Sequence, residues 1–173
     1  MLNSELTVSE YNPYYQPYMD VLGEEVKLMD QLINGKDIFI SFLRDIPSEK
    51  LNFSYADGKW TLSEILMHLI DAERVFQYRA LRFARKDSTP LPGFDQDIYV
   101  PESNANNRSK DAIVSEYASV RESSINLFKS FTDDELKRLG SASGSDMSVR
   151  ALGFVICGHQ AHHLKIIRER YLG

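Results

Sequence analysis

The chain has 173 residues, 43% of them apolar, and a formal net charge of −5. That size suits one domain with its own hydrophobic core. The acidic balance argues against the basic face needed for nucleic acid or an anionic membrane surface. The single cysteine, Cys157, excludes an internal disulfide and fits a reducing compartment. No stretch approaches the roughly 20 apolar residues of a membrane span. The first residues lack the basic start and apolar run of a secretory signal. A cytoplasmic location is expected.

Four segments carry helical periodicity. The first runs from about Tyr18 to Leu43, with apolar residues at Val21, Leu22, Val26, Leu28, Met29, Leu32, Ile33, Phe39, Ile40 and Leu43. Gly35 weakens it without ending it, and Pro47 closes it. The second begins in WTLSEI, where Thr61 and Glu64 make a capping box and Trp60 and Ile65 are placed for a hydrophobic staple. It is expected to reach Arg85. Its inward stripe reads Ile65, His68/Leu69, Ala72, Val75/Phe76, Arg79/Ala80 and Phe83. Arg79, Arg82, Arg85 and Lys86 together read as a solvated helix face.

Residues 87–108 form a long loop rich in proline, a candidate lid because it also carries Leu91, Phe94, Ile98, Tyr99 and Val100. Ser109 can cap a third helix, Lys110 to Phe131. Thr132 and Glu135 form a second capping box, for a short helix. GSASGSD reads as a turn. Asp146 or Ser148 then opens the fourth long helix, which reaches Tyr171. No strand is evident. The expectation is an all-α, single-domain four-helix bundle over residues 1–173.

Three of the four histidines fall within five positions, in GHQAHHLKIIRERY. His159 and His163 are four apart, one turn from each other on one helix face. The stripe through them, Leu152, Ile156, His159, His163, Ile166 and Arg170, has the steps of an inward bundle seam. His162 is rotated by about 100° onto the flank. The fourth histidine, His68, lies on the inward stripe of the second helix. Bundle interiors build metal sites from facing helices, and neutral imidazole suits zinc, nickel, copper or iron. Three protein ligands leave a position open for water or substrate, as in catalytic sites. The competing reading is three satisfied core histidines.

The segments GKWTLSEILMHLIDAERVFQYRALRFAR, PLPGFDQDIYV and VRALGFVICGHQAHHLKIIRERY, spanning roughly residues 55–171, resemble the DinB-like (DinB/YfiT-like) superfamily of metal-binding four-helix bundles. In that family one ligand follows W-(S/T)-x-x-E-x-x-x-H, here WTLSEILMH, which ends at His68. Two more come from H-x-x-H-H, here HQAHH, giving His159 and His163. The resemblance implies an up-down-down-up bundle, frequently a dimer, with a divalent metal such as nickel or zinc. Family members are called hydrolases, some relatives are thiol S-transferases using mycothiol or bacillithiol, and others have no assigned activity.

Other residues are candidates for the chemistry. Asp71, three residues after His68, can reach the metal rim or orient an imidazole. Arg79 can hold an anionic substrate, or make a salt bridge at the bundle end. Asp95, with Asp97, can supply a general base from the loop, or simply form turns. Glu73 reads as a helix-surface charge. Tyr14, Tyr15 and Tyr18 read as aromatic anchors, and Cys157 as a small buried residue facing away from the histidines. With no glutamate between His159 and His163, a base of the HExxH kind is absent. Two functions remain. One is a metal-dependent hydrolase or thiol S-transferase acting on a small molecule, with a low-molecular-weight thiol as a possible co-substrate. The other is a non-catalytic metal-binding or stress-related interaction protein.

Overall fold

A side chain closes the first turn of three of the four long helices, the second, third and fourth in chain order. In the computed structural model, which describes residues 1–173, the elements are α1 (Gln16–Asp20), α2 (Leu28–Asp45), α3 (Leu62–Ala84), α4 (Gln96–Glu102), α5 (Lys110–Lys129), α6 (Asp133–Leu136), β1 (Leu139–Ala142), β2 (Ser145–Ser148) and α7 (Val149–Arg170). Thr61 caps α3 as a full capping box with Glu64, and Thr132 with Glu135 does the same for α6. Ser109 caps α5 and Ser148 caps α7. No helix is long and apolar enough to cross a membrane.

Three expectations need correction. The first helix is two, because the N-terminus captures the backbone between them. Asn3 donates its amide to the Val26 carbonyl at 3.1 Å, accepts the Val26 amide at Oδ1 at 3.0 Å, and donates from Nδ2 to the Gly23 carbonyl at 2.7 Å. Gly23 and Glu25 take positive φ in that turn. Secondly, GSASGSD is not a bare turn: β1 and β2 pair antiparallel around Ser143 and Gly144, both at positive φ as a type I′ hairpin requires. Gly140 lets this hairpin lie on α3, since a Cβ there would sit 2.0 Å from the Phe83 ring. Thirdly, the long loop contains α4, whose N-cap is Asp95, and it is stitched to β1. Leu91 donates to the Ser141 carbonyl (2.9 Å) and accepts from the Ser143 amide (3.0 Å).

The side-chain pairings give the topology. Between α3 and α7, Trp60 meets Tyr171 and Phe76 meets His159, so the two run antiparallel. Between α2 and α5, Lys36 meets Glu122 and the Arg44 carbonyl meets Lys110, again antiparallel. Between α2 and α7, Gly35 meets Gln160 and Phe42 meets Arg168, so these are parallel. Between α3 and α5, Glu73 meets Arg121 and Gln77 meets Ser124, also parallel. The bundle is therefore up-down-down-up over α2, α3, α5 and α7. A parallel α3–α5 pair demands that the chain recross the bundle length, which is why residues 85–109 are long.

Residues 1–20 strap across the α7 side of the bundle, and Arg150 of α7 holds them. Its Nε and Nη2 donate to the Glu10 carboxylate, both at 2.6 Å, and Nη2 also donates to the Glu5 carbonyl. Burial acts to raise the Glu10 pKa, but the bonds from Arg150 and the Thr7 amide outweigh it and hold the carboxyl at about 2, below its ordinary 4.5. A depressed carboxylate stabilises the fold above its unfolded value and stops doing so as pH falls through the folded one. Replacing Glu10→Gln is expected to lower Tm at pH 7, with the gap to wild type closing between pH 4.5 and about 2, measured by thermal unfolding over that range.

Candidate metal centre

The antiparallel α3–α7 contact brings His68, His159 and His163 together. Their ligand atoms all lie within 4.8 Å of one another, and no fourth His, Cys, Asp or Glu joins the group. His68 Nε2 and His159 Nε2 are 3.0 Å apart. Nitrogens held at 2.0–2.1 Å from a tetrahedral metal would be about 3.3 Å apart, so this pair is already near chelating separation. Helix rise sets the geometry: His159 and His163 are one turn apart on α7, and His68 faces them both, with ring centroids at 4.8 and 5.2 Å.

The surroundings favour neutral imidazole. Burial lowers the His68 pKa to about 4. Burial first, then the neighbouring His68 and His162, brings His163 to about 3. Burial also takes His159 well below its ordinary value, with the three other histidines adding to the shift. His163 Nδ1 is buried with no hydrogen-bond partner, an orphan of the kind that a bound cation satisfies. Three neutral imidazoles, converging and partly unpartnered, fit a divalent transition-metal ion. Trp60 packs on His68 (5.0 Å) and Tyr18 on His159 (5.2 Å), fixing ring orientations.

One glycine is essential to that arrangement. α1 crosses α7 at Gly158, where a Cβ would lie 1.9 Å from the Tyr18 carbonyl oxygen. Only the bare backbone lets Tyr18 come down beside His159. His162 takes the flank, its ring 5.3 Å from Tyr18 and 5.4 Å from His163.

Two cavities large enough for a ligand meet the cluster. The larger, about 560 Å³, is bordered by His68 and His159 together with Ala72, Phe76 and Arg79 of α3. Its other walls are Asn12, Tyr14, Tyr15 and Tyr18 of the N-terminal strap, Phe94 to Asp97 of the crossover, and Ala142, Ser143, Ser145 and Met147 of the hairpin. The smaller, about 280 Å³, is bordered by His163 with Trp60, Tyr55 and Tyr171. Asp97 borders both.

The other candidates are placed as follows. Arg79 is buried on the large cavity, not on a solvated face, whereas Arg82, Arg85 and Lys86 stay at least partly in water. Asp95 is exposed at the cavity mouth, where its Oδ1 accepts the Asp97 amide at 2.9 Å. Asp71 borders neither cavity and pairs with Arg74 at 3.3 Å. Cys157 is buried in the core, and Arg170 is exposed, its guanidinium over Tyr55 rather than on the inward seam.

Glu73 is not a surface charge. It is buried behind His159, accepting from Arg121 Nε and Nη2 at 2.7 and 2.8 Å and from Ser124 Oγ at 2.6 Å. Beside it Tyr117 donates to Gln160, which donates to the Gly35 carbonyl at 2.9 Å. Gly35 makes room here: a Cβ would be 3.3 Å from Arg121 Nη1. Arg121 went unremarked in the sequence, although it stands on the apolar stripe Ile113, Tyr117, Val120, Ser124, Phe128 of α5.

Comparison with known proteins accords with this geometry. A model of the DinB superfamily matches residues 31–167. The chain belongs to the DinB superfamily. It is 23% identical over 149 residues to the Oceanobacillus iheyensis protein named "Putative metal-dependent hydrolase OB0413", covering 85% of this chain and 83% of that one. Its fold is similar to that of YfiT from Bacillus subtilis, described as "a probable metal-dependent hydrolase with an unusual four-helix bundle topology", with a TM-score of 0.64, 16% identity and 94% of each chain covered. It is also similar to a mycothiol-dependent maleylpyruvate isomerase, with a TM-score of 0.65 at 11% identity, covering 82% of this chain and 60% of that one.

The Glu73–Arg121 pair makes a stability prediction. Removing one partner of a buried ion pair leaves the other uncompensated and costs about 3–5 kcal/mol. Glu73→Ala is expected to lose that much in urea unfolding, and Glu73→Leu combined with Arg121→Met to recover most of it.

Proposed function

We propose that this DinB-superfamily chain is a metal-dependent hydrolase acting on a small molecule, with His68, His159 and His163 holding a zinc or nickel ion. The observation that carries the reading is that the histidine cluster has three protein donors and borders a 560 Å³ cavity, instead of being closed by a fourth ligand. A purely structural staple needs neither the open side nor the cavity.

Such an ion, when bound, supplies Lewis acidity, polarising a carbonyl or lowering the pKa of water or a thiol. The chain's own residues do the rest. Trp60 and Tyr18 hold the imidazole planes. Phe76, Ala72 and Met147 exclude water from one side of the cavity. Asp95, fixed through Oδ1, keeps Oδ2 available at the mouth to take a proton. The crossover from residue 87 to 108 acts as the lid, and its attachment to β1 at Leu91 sets where it closes.

The second cavity at His163 favours one further reading. A hydrolase needs one organic substrate, whereas a thiol S-transferase needs two, and here two cavities reach one cluster, one at His68 and His159 and the other at His163. The discriminating experiment loads the purified protein with zinc or nickel and screens small esters, amides and electrophiles with and without a low-molecular-weight thiol. Metal-dependent turnover without thiol is expected, falling at least about 100-fold in His159→Ala. Turnover only with thiol replaces the hydrolase reading with the transferase one. No metal-dependent turnover of either kind overturns both.

A further inference from the structure

Arg79, Arg121 and Arg150 are the buried arginines of the chain. Two of them are neutralised by a carboxylate gripped through two nitrogens, Glu73 for Arg121 and Glu10 for Arg150. Arg79 is only 3% exposed and has no carboxylate within salt-bridge distance. Its hydrogen bonds, both from Nη2, go to neutral acceptors: the Pro92 carbonyl at 3.2 Å and Ser143 Oγ at 2.9 Å. A guanidinium is always charged and carries five N–H donors. Nε and Nη1 make no hydrogen bond to the protein, neither is a sealed orphan, and the residue borders the large cavity. An uncompensated buried charge is costly, and this fold compensates it at the other two sites.

We propose that Arg79 is the anion subsite of the large cavity, and that its ligand is an elongated monocarboxylate with the acid group remote from the reacting bond. The inference rests on the hydrolase or transferase reading only in taking this cavity as the substrate site.

One face of α3 spells out the ligand. His68, Ala72, Phe76 and Arg79 follow one another at steps of four, four and three, and all four border the cavity. His68 and Arg79 are eleven residues apart, about 16 Å along the helix axis. The floor thus offers a reaction centre at one end, an apolar middle, and a cation at the other. Phe94 lies against the guanidinium at 5.9 Å, and Tyr15 brings a neutral hydroxyl beside it. One positive charge with neutral hydroxyls matches a single negative charge. Asp95 and Asp97 at the mouth add negative charge, which disfavours a phosphate dianion.

The hydroxyl that helps to aim Arg79 belongs to Ser143, a non-glycine residue at φ 54 in the hairpin turn. Pro92 is on the crossover. Arg79 therefore joins the hairpin to the crossover, and a purely structural role has to be separated from a ligand-binding one.

The test uses the full chain after chelator treatment, so that no carboxylate can bind through a metal. Binding of 4-phenylbutyrate, its uncharged amide 4-phenylbutyramide, and phenyl phosphate is followed by calorimetry. The acid is expected to bind at least about 10-fold more tightly than the amide. That difference should disappear in Arg79→Gln and partly return in Arg79→Lys, whatever change in Tm accompanies them. Equal binding of acid and amide by wild type overturns the proposal even if Arg79→Gln does not fold, as does failure of all three probes to bind at millimolar concentration. Tighter binding of phenyl phosphate overturns the carboxylate assignment. A Tm loss in Arg79→Gln with acid-over-amide preference intact shows the structural role alone. Because the metal is removed throughout, failure of the metal reading leaves this result unaffected, and the reverse also holds.

Discussion

A layer of buried polar side chains cuts the core in two, and the rest of the molecule is arranged around it. On one side lie Leu28, Leu32, Phe76, Phe83, Phe128 and the first half of α7. On the other lie Phe39, Leu43, Leu66, Tyr117, Ile167 and Tyr171. Between them, at matching heights on all four long helices, are Gly35, Glu73, Arg121 with Ser124, and Gln160. Buried polar groups must be paired with one another or they destabilise the fold. Helix register is therefore tied to this layer: a slip of α3 or α5 would break the charge-assisted bonds of Glu73, and a slip of α2 or α7 the neutral ones through Gln160. His159 stands at its edge, next to Gln160, so the layer also fixes the height at which the imidazoles meet.

The cavity follows from the topology. Parallel α3 and α5 force a long recrossing, and the chain uses it to build a wall and a mouth. The hairpin docks through Gly140 on Phe83 and holds the crossover at Leu91. The N-terminal strap supplies the opposite wall, anchored by Arg150 on Glu10 and by the close passage of Tyr18 over Gly158. Three irregular segments thus converge on one face of α3, while the rigid helices carry the histidines and Arg79. Precision resides on the helices and variability on the segments that shape the space.

Much of this was legible in the sequence because the signals are local. Capping boxes at Thr61 and Thr132 fix helix starts within a single turn, and the four-residue spacing of His159 and His163 needs nothing beyond helix geometry. What escaped depends on distant partners. The hairpin has four-residue strands with no marked alternation, and it exists because α3 and Leu91 support it. The break before α2 comes from Asn3, 20 or more residues away, taking the backbone bonds of Gly23 and Val26. Glu73 stands five residues, about 140°, from His68, and so reads as a surface charge against that stripe. Measured from Leu69, Phe76 and Ala80, it lies on a second inward stripe facing Arg121 on α5. Two opposite charges on the apolar stripes of two helices were the available sign.

The central claim is that the three converging imidazoles, those of His68 and His159 buried and that of His163 half-buried, are a ligand set and not core packing. It is tested most directly by metal content, read by mass spectrometry on untagged, natively purified protein beside His68→Ala and His163→Ala. The account predicts near-stoichiometric zinc or nickel in the wild-type chain and its loss in both variants. A wild-type protein that is empty and cannot be reloaded with either metal would contradict it, and would leave His68, His159 and His163 as core residues.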